Sequence, residues 1–390
     1  MSEGPAKPAR PKLEVINGLR GVAILAVIWH HLFGLYFKPG SVVALPAAAG
    51  PAVYLSYGWI GVQLFFVLSG FVLYLPYAEG RARLETTADL WSFYRRRAAR
   101  LLPLYYIVAL LCLALNQPPP DGVKFGAELV SMGLVLFPFV NHGFEPFLNP
   151  PLWSLGVEIW FSVIFPLAIL ALRRFGAVRL LLATVALGCA SRTLGLVLQP
   201  GEPILPLTTG LTASLEIFGT GMVLAQWYAG TAGRQRLARP RLAVATGAAV
   251  AVAAIWAKQA ALPGMDVLFA DGLTLGLGLV VAGLLSLEAG LLRAVFANRP
   301  IQLLGMMCFS LYAWHEPLLR HVFQGDIAPL DGLAQTLPVY LTLLAGIGAL
   351  SYRFIEFGRA ADWRGLFLLS NEGFSRRRAK SVSTTAPPAG

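Results

Sequence analysis

The chain reads as an all-α, polytopic membrane protein of about ten transmembrane helices with one short re-entrant or interfacial segment. Three observations lead there. Hydrophobic residues make up 56% of the 390 and charged residues 13%, with a mean hydropathy of +0.65, which excludes an ordinary soluble domain. Apolar stretches of roughly 20 residues, the length that crosses a bilayer, recur from end to end. The arginines behind the net charge of +11 fall between those stretches, where they set topology. They form no nucleic-acid footprint, and nucleic acid is excluded as a partner.

In chain order, residues 1–13 are a short Pro-rich basic tail. It runs into an apolar segment too long for a signal-peptide core, so the first helix is expected to be retained. Spans are expected near 15–37, 57–77, 103–117, 152–172, 176–198, 209–228, 242–262, 266–287, 301–323 and 336–356. The second carries Gly58, Gly61, Ser69 and Gly70, small residues spaced for close helix packing. The stretch 126–140 is apolar but short, and charge decides its reading. Without it as a crossing, Arg81, Arg83, Arg95–Arg97, Arg100, Arg173, Arg174, Arg179, Arg234, Arg236, Arg239, Arg241, Arg293 and Arg299 share one side, leaving Lys38, Lys124 and Arg320 opposite. Both termini are therefore expected in the cytoplasm, with the chain integral to the cytoplasmic (inner) membrane. Residues 358–390, basic and then rich in Ser, Thr, Ala and Pro, are expected to be a largely disordered cytoplasmic tail. Cys112, Cys189 and Cys308 each lie in an apolar stretch and suit small core positions rather than a disulfide framework or a zinc site. There is no internal repeat and no matched pair of interrupted helices, which speaks against a secondary transporter.

Within the spans, ionisable groups are the candidates for chemistry, because burying them in lipid is costly. Arg20 and His31 are eleven residues apart, which returns almost to the same helical direction about 16 Å along the axis. His30 points about 100° away and is assigned no role, nor are His142 and His321, which sit near loops. Arg97 and Arg100, three apart, share a face and offer fork-like donors suited to phosphate; fixing topology is their plainer role. Glu158 lies about two turns inside its span at a depth resembling that of His31, which makes the two natural partners. His315 and Glu316 precede Pro317, which interrupts regular helix geometry and exposes polar groups. Glu216 is a further intramembrane carboxylate. Arg353 and Glu356, at i and i+3, are expected to pair.

Taken together, these strings resemble the acyltransferase-3 family of integral membrane O-acyltransferases. The resemblance rests on Gly18-Leu19-Arg20-Gly21 with His31, Gly61-Val62-Gln63-Leu64-Phe65-Phe66-Val67-Leu68-Ser69-Gly70-Phe71, and Arg97-x-x-Arg100 before Leu102-Pro103-Leu104-Tyr105-Tyr106. It continues with Trp153-Ser154-Leu155-Gly156-Val157-Glu158, Ser310 through Pro317, and Tyr352 through Glu356. Order is the specific signal, since each motif alone is loose. It covers about residues 14–357, the membrane acyltransferase domain, in the stand-alone form without an appended extracytoplasmic hydrolase-like domain. Gln63 stands where an acidic residue is common, and Gly156 and Ile159 replace a Ser and a Glu.

The resemblance implies transfer of an acyl group, most often acetyl, from acyl-CoA to a hydroxyl of a glycan or glycosylated acceptor, with no metal. Arg20, Arg97 and Arg100 are then expected to hold the cofactor at the cytoplasmic mouth. His31, oriented by Glu158, is expected to act as general base, with a transient acyl-histidine as the second route. Two other classes fit the same residues. One is a non-enzymatic carrier of an anionic metabolite or lipid-linked sugar; the other, a sensor or structural membrane protein, gives no reason for the Arg20–His31 face.

Overall fold

A chain immersed in lipid has to satisfy its backbone polar groups internally, which leaves helices or closed barrels. The computed structural model describes residues 13–36, 56–115, 122–141, 143–199, 203–230, 237–322 and 329–357, and has no strand among them. Eight of its helical stretches are long and apolar enough to cross a membrane. The tails 1–12 and 358–390, with Lys38, His142, Arg234 and Arg236, lie outside the described residues.

The helices are α1 (Leu13–Tyr36), α2 (Ile60–Ala78), α3 (Thr87–Leu115), α4 (Gly122–Gly133), α5 (Leu152–Val197), α6 (Leu215–Gly230), α7 (Pro240–Gln259), α8 (Met265–Ser286), α9 (Leu291–Ala297), α10 (Arg299–Met306), α11 (Cys308–Val322) and α12 (Pro329–Ser351). The 46 residues of α5 hold two of the expected spans. They part at Gly176, whose φ of 81° and ψ of 167° leave the helical region. The expected span 301–323 arrives as α10 and α11, separated at Met307.

One boundary is corrected. The expected span 103–117 begins at Thr87 instead. A hydropathy criterion stops at the Arg95–Arg100 cluster, whereas the helix runs back through it to a reciprocal cap. There the Thr86 hydroxyl accepts from the Asp89 N–H at 3.1 Å, and the Asp89 carboxylate accepts from the Thr86 N–H at 3.0 Å. The arginines therefore lie on a helix and have fixed directions.

The segment read as re-entrant or interfacial contains α4. Its 12 residues reach about 18 Å, well short of a ~30 Å hydrocarbon core. The chain then reverses at Val135, whose φ of 55° is rare for a β-branched residue. Side chains from neighbouring helices secure it: Tyr105 donates to Met132 O at 2.7 Å, Tyr106 to Gly133 O at 2.8 Å and Trp160 to Val135 O at 2.6 Å.

Helix α1 runs through the bundle centre, packed on α2, α10 and α11, while α2 packs on α6, α7 on α8 and α11 on α12. The small residues of α2 mark the closest approaches. A methyl at Gly61 would run into the Ala23 carbonyl oxygen of α1, and one at Gly70 into the Phe218 carbonyl oxygen of α6.

Candidate active site

Packing α1 against α11 joins residues almost 300 positions apart. His31 Nδ1 lies 3.2 Å from Glu316 Oε2, and the other carboxylate oxygen accepts from Arg320 Nε at 2.9 Å. The Nδ1 edge of the imidazole therefore faces the carboxylate, and Nε2 lies on the opposite edge of the ring. The His315 ring stands 4.9 Å from that of His31. Fully buried, it is tied through Nδ1 to Tyr312 O at 2.6 Å, and its Nε2 has no hydrogen-bond partner. The segment before α5 is tied to α11 beside this cluster. Asn149 donates to Ala313 O at 3.2 Å, and Arg320 reaches Phe147 O at 3.3 Å. His30 is turned away, with Nδ1 2.8 Å from Ser56 O, and His321 is bound to Pro317 O at 2.7 Å.

Toward the N-terminal end of α1 lies a cavity of about 610 Å³, lined among others by Arg20, Arg81, Arg83, Arg96, Arg97, Arg100, Ser69 and Glu158. Six arginines against the carboxylates of Asp89 and Glu158 give its lining a net positive charge, which attracts anions. A neck of about 40 Å³ continues from the shared wall of Arg20, Ser69, Arg100 and Glu158 to Cys308, Ser154 and Tyr312. The Tyr312 ring is 5.2 Å from that of His315, and its hydroxyl is fixed by Ser154 Oγ at 2.7 Å and Pro151 O at 2.8 Å. The basic vestibule and the smaller cavity thus share a wall, and Tyr312, on the far wall of the smaller one, packs against the imidazole cluster.

Two expected pairings are corrected. Glu158 does not meet His31; it accepts from Arg97 Nη2 and Ser69 Oγ, both at 3.1 Å. Similar depth on two helices does not make them neighbours, and α11 occupies the position beside His31. Arg97 and Arg100 both line the vestibule, Arg97 also bound to Glu158 and to Ser162 Oγ at 3.1 Å and Arg100 facing Glu356 at 3.7 Å. Arg353 and Glu356 do not pair. Residues Tyr352–Glu356 form a π-turn, which rotates i and i+3 apart, and the Arg353 guanidinium lies 5.1 Å over the Phe354 ring. Glu356 turns inward to Arg100 and to Ser310 Oγ at 3.2 Å.

Glu216 belongs to a third group, away from both. It pairs with buried Arg192 at 2.7 Å, and Arg192 also holds Asp271 at 2.6 Å, linking α5, α6 and α8. Arg192 and Asp271 escaped the sequence reading, although the signal that drew attention to Arg20, a charge inside an apolar run, applies equally to them. Arg320 was read only as a loop charge; its i+4 spacing from Glu316 was the available clue. Gly156 is explained by packing, since a Cβ there would run into the Phe137 ring. Cys112 and Cys308 are buried, and Cys189 sits half-buried beside Asp271.

A family model described as an acyltransferase domain matches residues 13–352. The peptidoglycan O-acetyltransferase OatA of Listeria monocytogenes is 26% identical over 376 residues, covering 89% of this chain and 56% of that protein. The O-acetyltransferase OatA of Staphylococcus aureus is 24% identical over 367 residues, covering 87% and 56%. The chain thus spans about half the length of the curated relatives it matches. No solved structure matches it.

Proposed function

The chain belongs to the acyltransferase-3 family, and from that premise we propose that it is a membrane-embedded O-acyltransferase, moving an acetyl group from acetyl-CoA to a hydroxyl of a cell-envelope glycan. The observation that carries the reading is the His31–Glu316 pair at 3.2 Å in the same helix bundle as an arginine-lined vestibule. The likeness to a peptidoglycan O-acetyltransferase supports a glycan acceptor.

Arg20, Arg96, Arg97 and Arg100 hold the nucleotide and pyrophosphate of the cofactor from the cytoplasmic side, by charge and planar N–H donors. The pantetheine arm threads the neck past Ser69 and Tyr312 and brings the thioester to the imidazoles. His31 Nε2 takes the proton of the acceptor hydroxyl as its oxygen attacks the thioester carbonyl carbon. The C–S bond then breaks, and the departing thiolate receives that proton from the imidazolium. Glu316 keeps the Nε2 lone pair available and stabilises the transient positive charge; Arg320 holds Glu316 in place. Glu158, formerly the expected partner of the base, orients Arg97. An acetyl group thereby passes from a cytosolic donor to an acceptor on the opposite face.

Sealed vesicles of known orientation test the reading. Acetyl-CoA supplied only to the arginine-rich face is expected to give ester on acceptor held at the other, with one CoA thiol released per ester. A cysteine introduced at Phe147 is expected to label from the acceptor side and one at Arg83 from the donor side. Ester confined to the side of acetyl-CoA addition overturns the through-membrane route, and acceptor crossing without thiol release replaces the enzyme by a carrier.

A further inference from the structure

Acyl transfer through His31 leaves His315 Nε2 without a task. That lone pair is fully buried and unpartnered, while its ring is fixed by the Nδ1–Tyr312 O contact of 2.6 Å. A buried acceptor without a donor is unfavourable, and the His315 ring stands 4.9 Å from that of His31. One donor atom from each of His31, His315 and Glu316 falls in a set lying within 4.8 Å of one another. We infer that these three side chains form an exchangeable, inhibitory site for a zinc-class divalent cation.

The donor chemistry selects the ion. Two imidazole nitrogens and one carboxylate oxygen suit Zn²⁺ or Co²⁺, while Mg²⁺ and Ca²⁺ need more oxygen ligands than the cluster offers. Spacing agrees. Donors at Zn–N and Zn–O lengths of about 2.0–2.1 Å around a tetrahedral ion are themselves about 3.3 Å apart. His31 Nδ1 and Glu316 Oε2 already stand at 3.2 Å, and a closing together of the three donors, now within 4.8 Å of one another, completes the site. The outer contacts are those a metal site uses: His315 gives its other ring N–H to a backbone carbonyl, and Arg320 fixes the second oxygen of Glu316. The same guanidinium repels a dication, which makes the site exchangeable rather than structural.

Inhibition follows from the tautomer and rests on the acyl-transfer reading above. An ion on His31 Nδ1 moves the proton from Nδ1 to Nε2, with none released. The Nε2 lone pair that accepts the proton of the acceptor hydroxyl is then gone.

The test uses the full chain, stripped with chelator and reconstituted in nanodiscs. Co²⁺ titration is expected to give the intense visible d–d bands of a low-coordinate site at one ion per chain, erased by Zn²⁺ and untouched by Mg²⁺. His315→Gln and Glu316→Gln should each weaken Co²⁺ binding at least ~10-fold, with gel-filtration profiles confirming that both variants remain folded. Zn²⁺ should lower kcat for transfer and leave the KM for acetyl-CoA unchanged. Absence of the bands, or bands that persist in both variants, overturns the site; bands without inhibition overturn its regulatory half. Failure of the acyl-transfer reading is separate: it appears as undiminished turnover in metal-free His31→Ala, whatever the cobalt spectrum shows.

Discussion

Replacing Glu316 by Gln separates the two carboxylates that compete for the role of partner to His31. Gln keeps the shape and an amide oxygen able to accept the Nδ1–H, so the tautomer survives and only the charge is lost. With Glu316 Oε2 3.2 Å from the ring nitrogen, the charge–imidazolium attraction at an effective dielectric constant of 20 is at most about 5 kcal/mol. Arg320, left facing the imidazolium, adds repulsion, but its half-exposed side chain is screened by water. Retention of the neutral hydrogen bond offsets part of the loss, leaving about 3–4 kcal/mol, or a ~100- to 1000-fold fall in kcat. Initial rates of ester formation in nanodiscs are the assay, with acetyl-CoA and acceptor varied in turn. The KM for acetyl-CoA should stay near its starting value, since Glu316 does not line the arginine vestibule. Glu158→Gln should behave in the opposite way, raising that KM by loosening Arg97 while kcat changes little. A kcat within ~3-fold of the parent in Glu316→Gln, or the large kcat loss in Glu158→Gln, refutes the dyad and returns Glu158 to the side of His31.

The remaining predictions concern the other two clusters and the base itself. His31→Ala should lower turnover at least ~100-fold in protein that still purifies as a monodisperse species. His30→Ala, whose ring is engaged with the Ser56 carbonyl, should retain most of the rate; equal losses at both positions would remove the helical-phase argument. Arg97→Ala with Arg100→Ala should raise the KM for acetyl-CoA, with Lys at both positions recovering only part of it. The double Ala variant also strands Glu158 and Glu356, so its thermal midpoint should fall, and adding Glu158→Gln should restore some of that stability. Arg192→Met should destabilise by about 3–5 kcal/mol, because Glu216 and Asp271 are left as uncompensated charges in the bundle. Its purified fraction should keep an unchanged KM for acetyl-CoA, measured alongside thermal unfolding; a lost vestibule affinity would join this cluster to the cofactor site.

Sequence alone determined the membrane class and the positions of the spans, because transfer into lipid is a local, additive property of twenty consecutive residues. It also put Arg20 and His31 on the inward side of one helix, since a helix fixes their relative direction over eleven residues. The break near Gly176 and the short segment containing α4 were legible for the same reason: each is set by local backbone preference or by length. What it did not determine was which distant groups meet. Glu158 and Glu316 were both buried carboxylates suited to an imidazole, and depth along separate helices did not distinguish them. The choice is made by the packing of α1 on α10 and α11, where glycine contacts as close as Gly305 against Asn17 O set the register that carries Glu316 to His31. Arg353 and Glu356 failed as a pair because spacing implies contact only while the helix keeps its period, and the π-turn there does not. Arg192 and Asp271 belong to the same class. Each charge was visible in its own helix, but whether two buried charges compensate one another depends on a crossing of helices about 80 residues apart, which only the tertiary structure supplies.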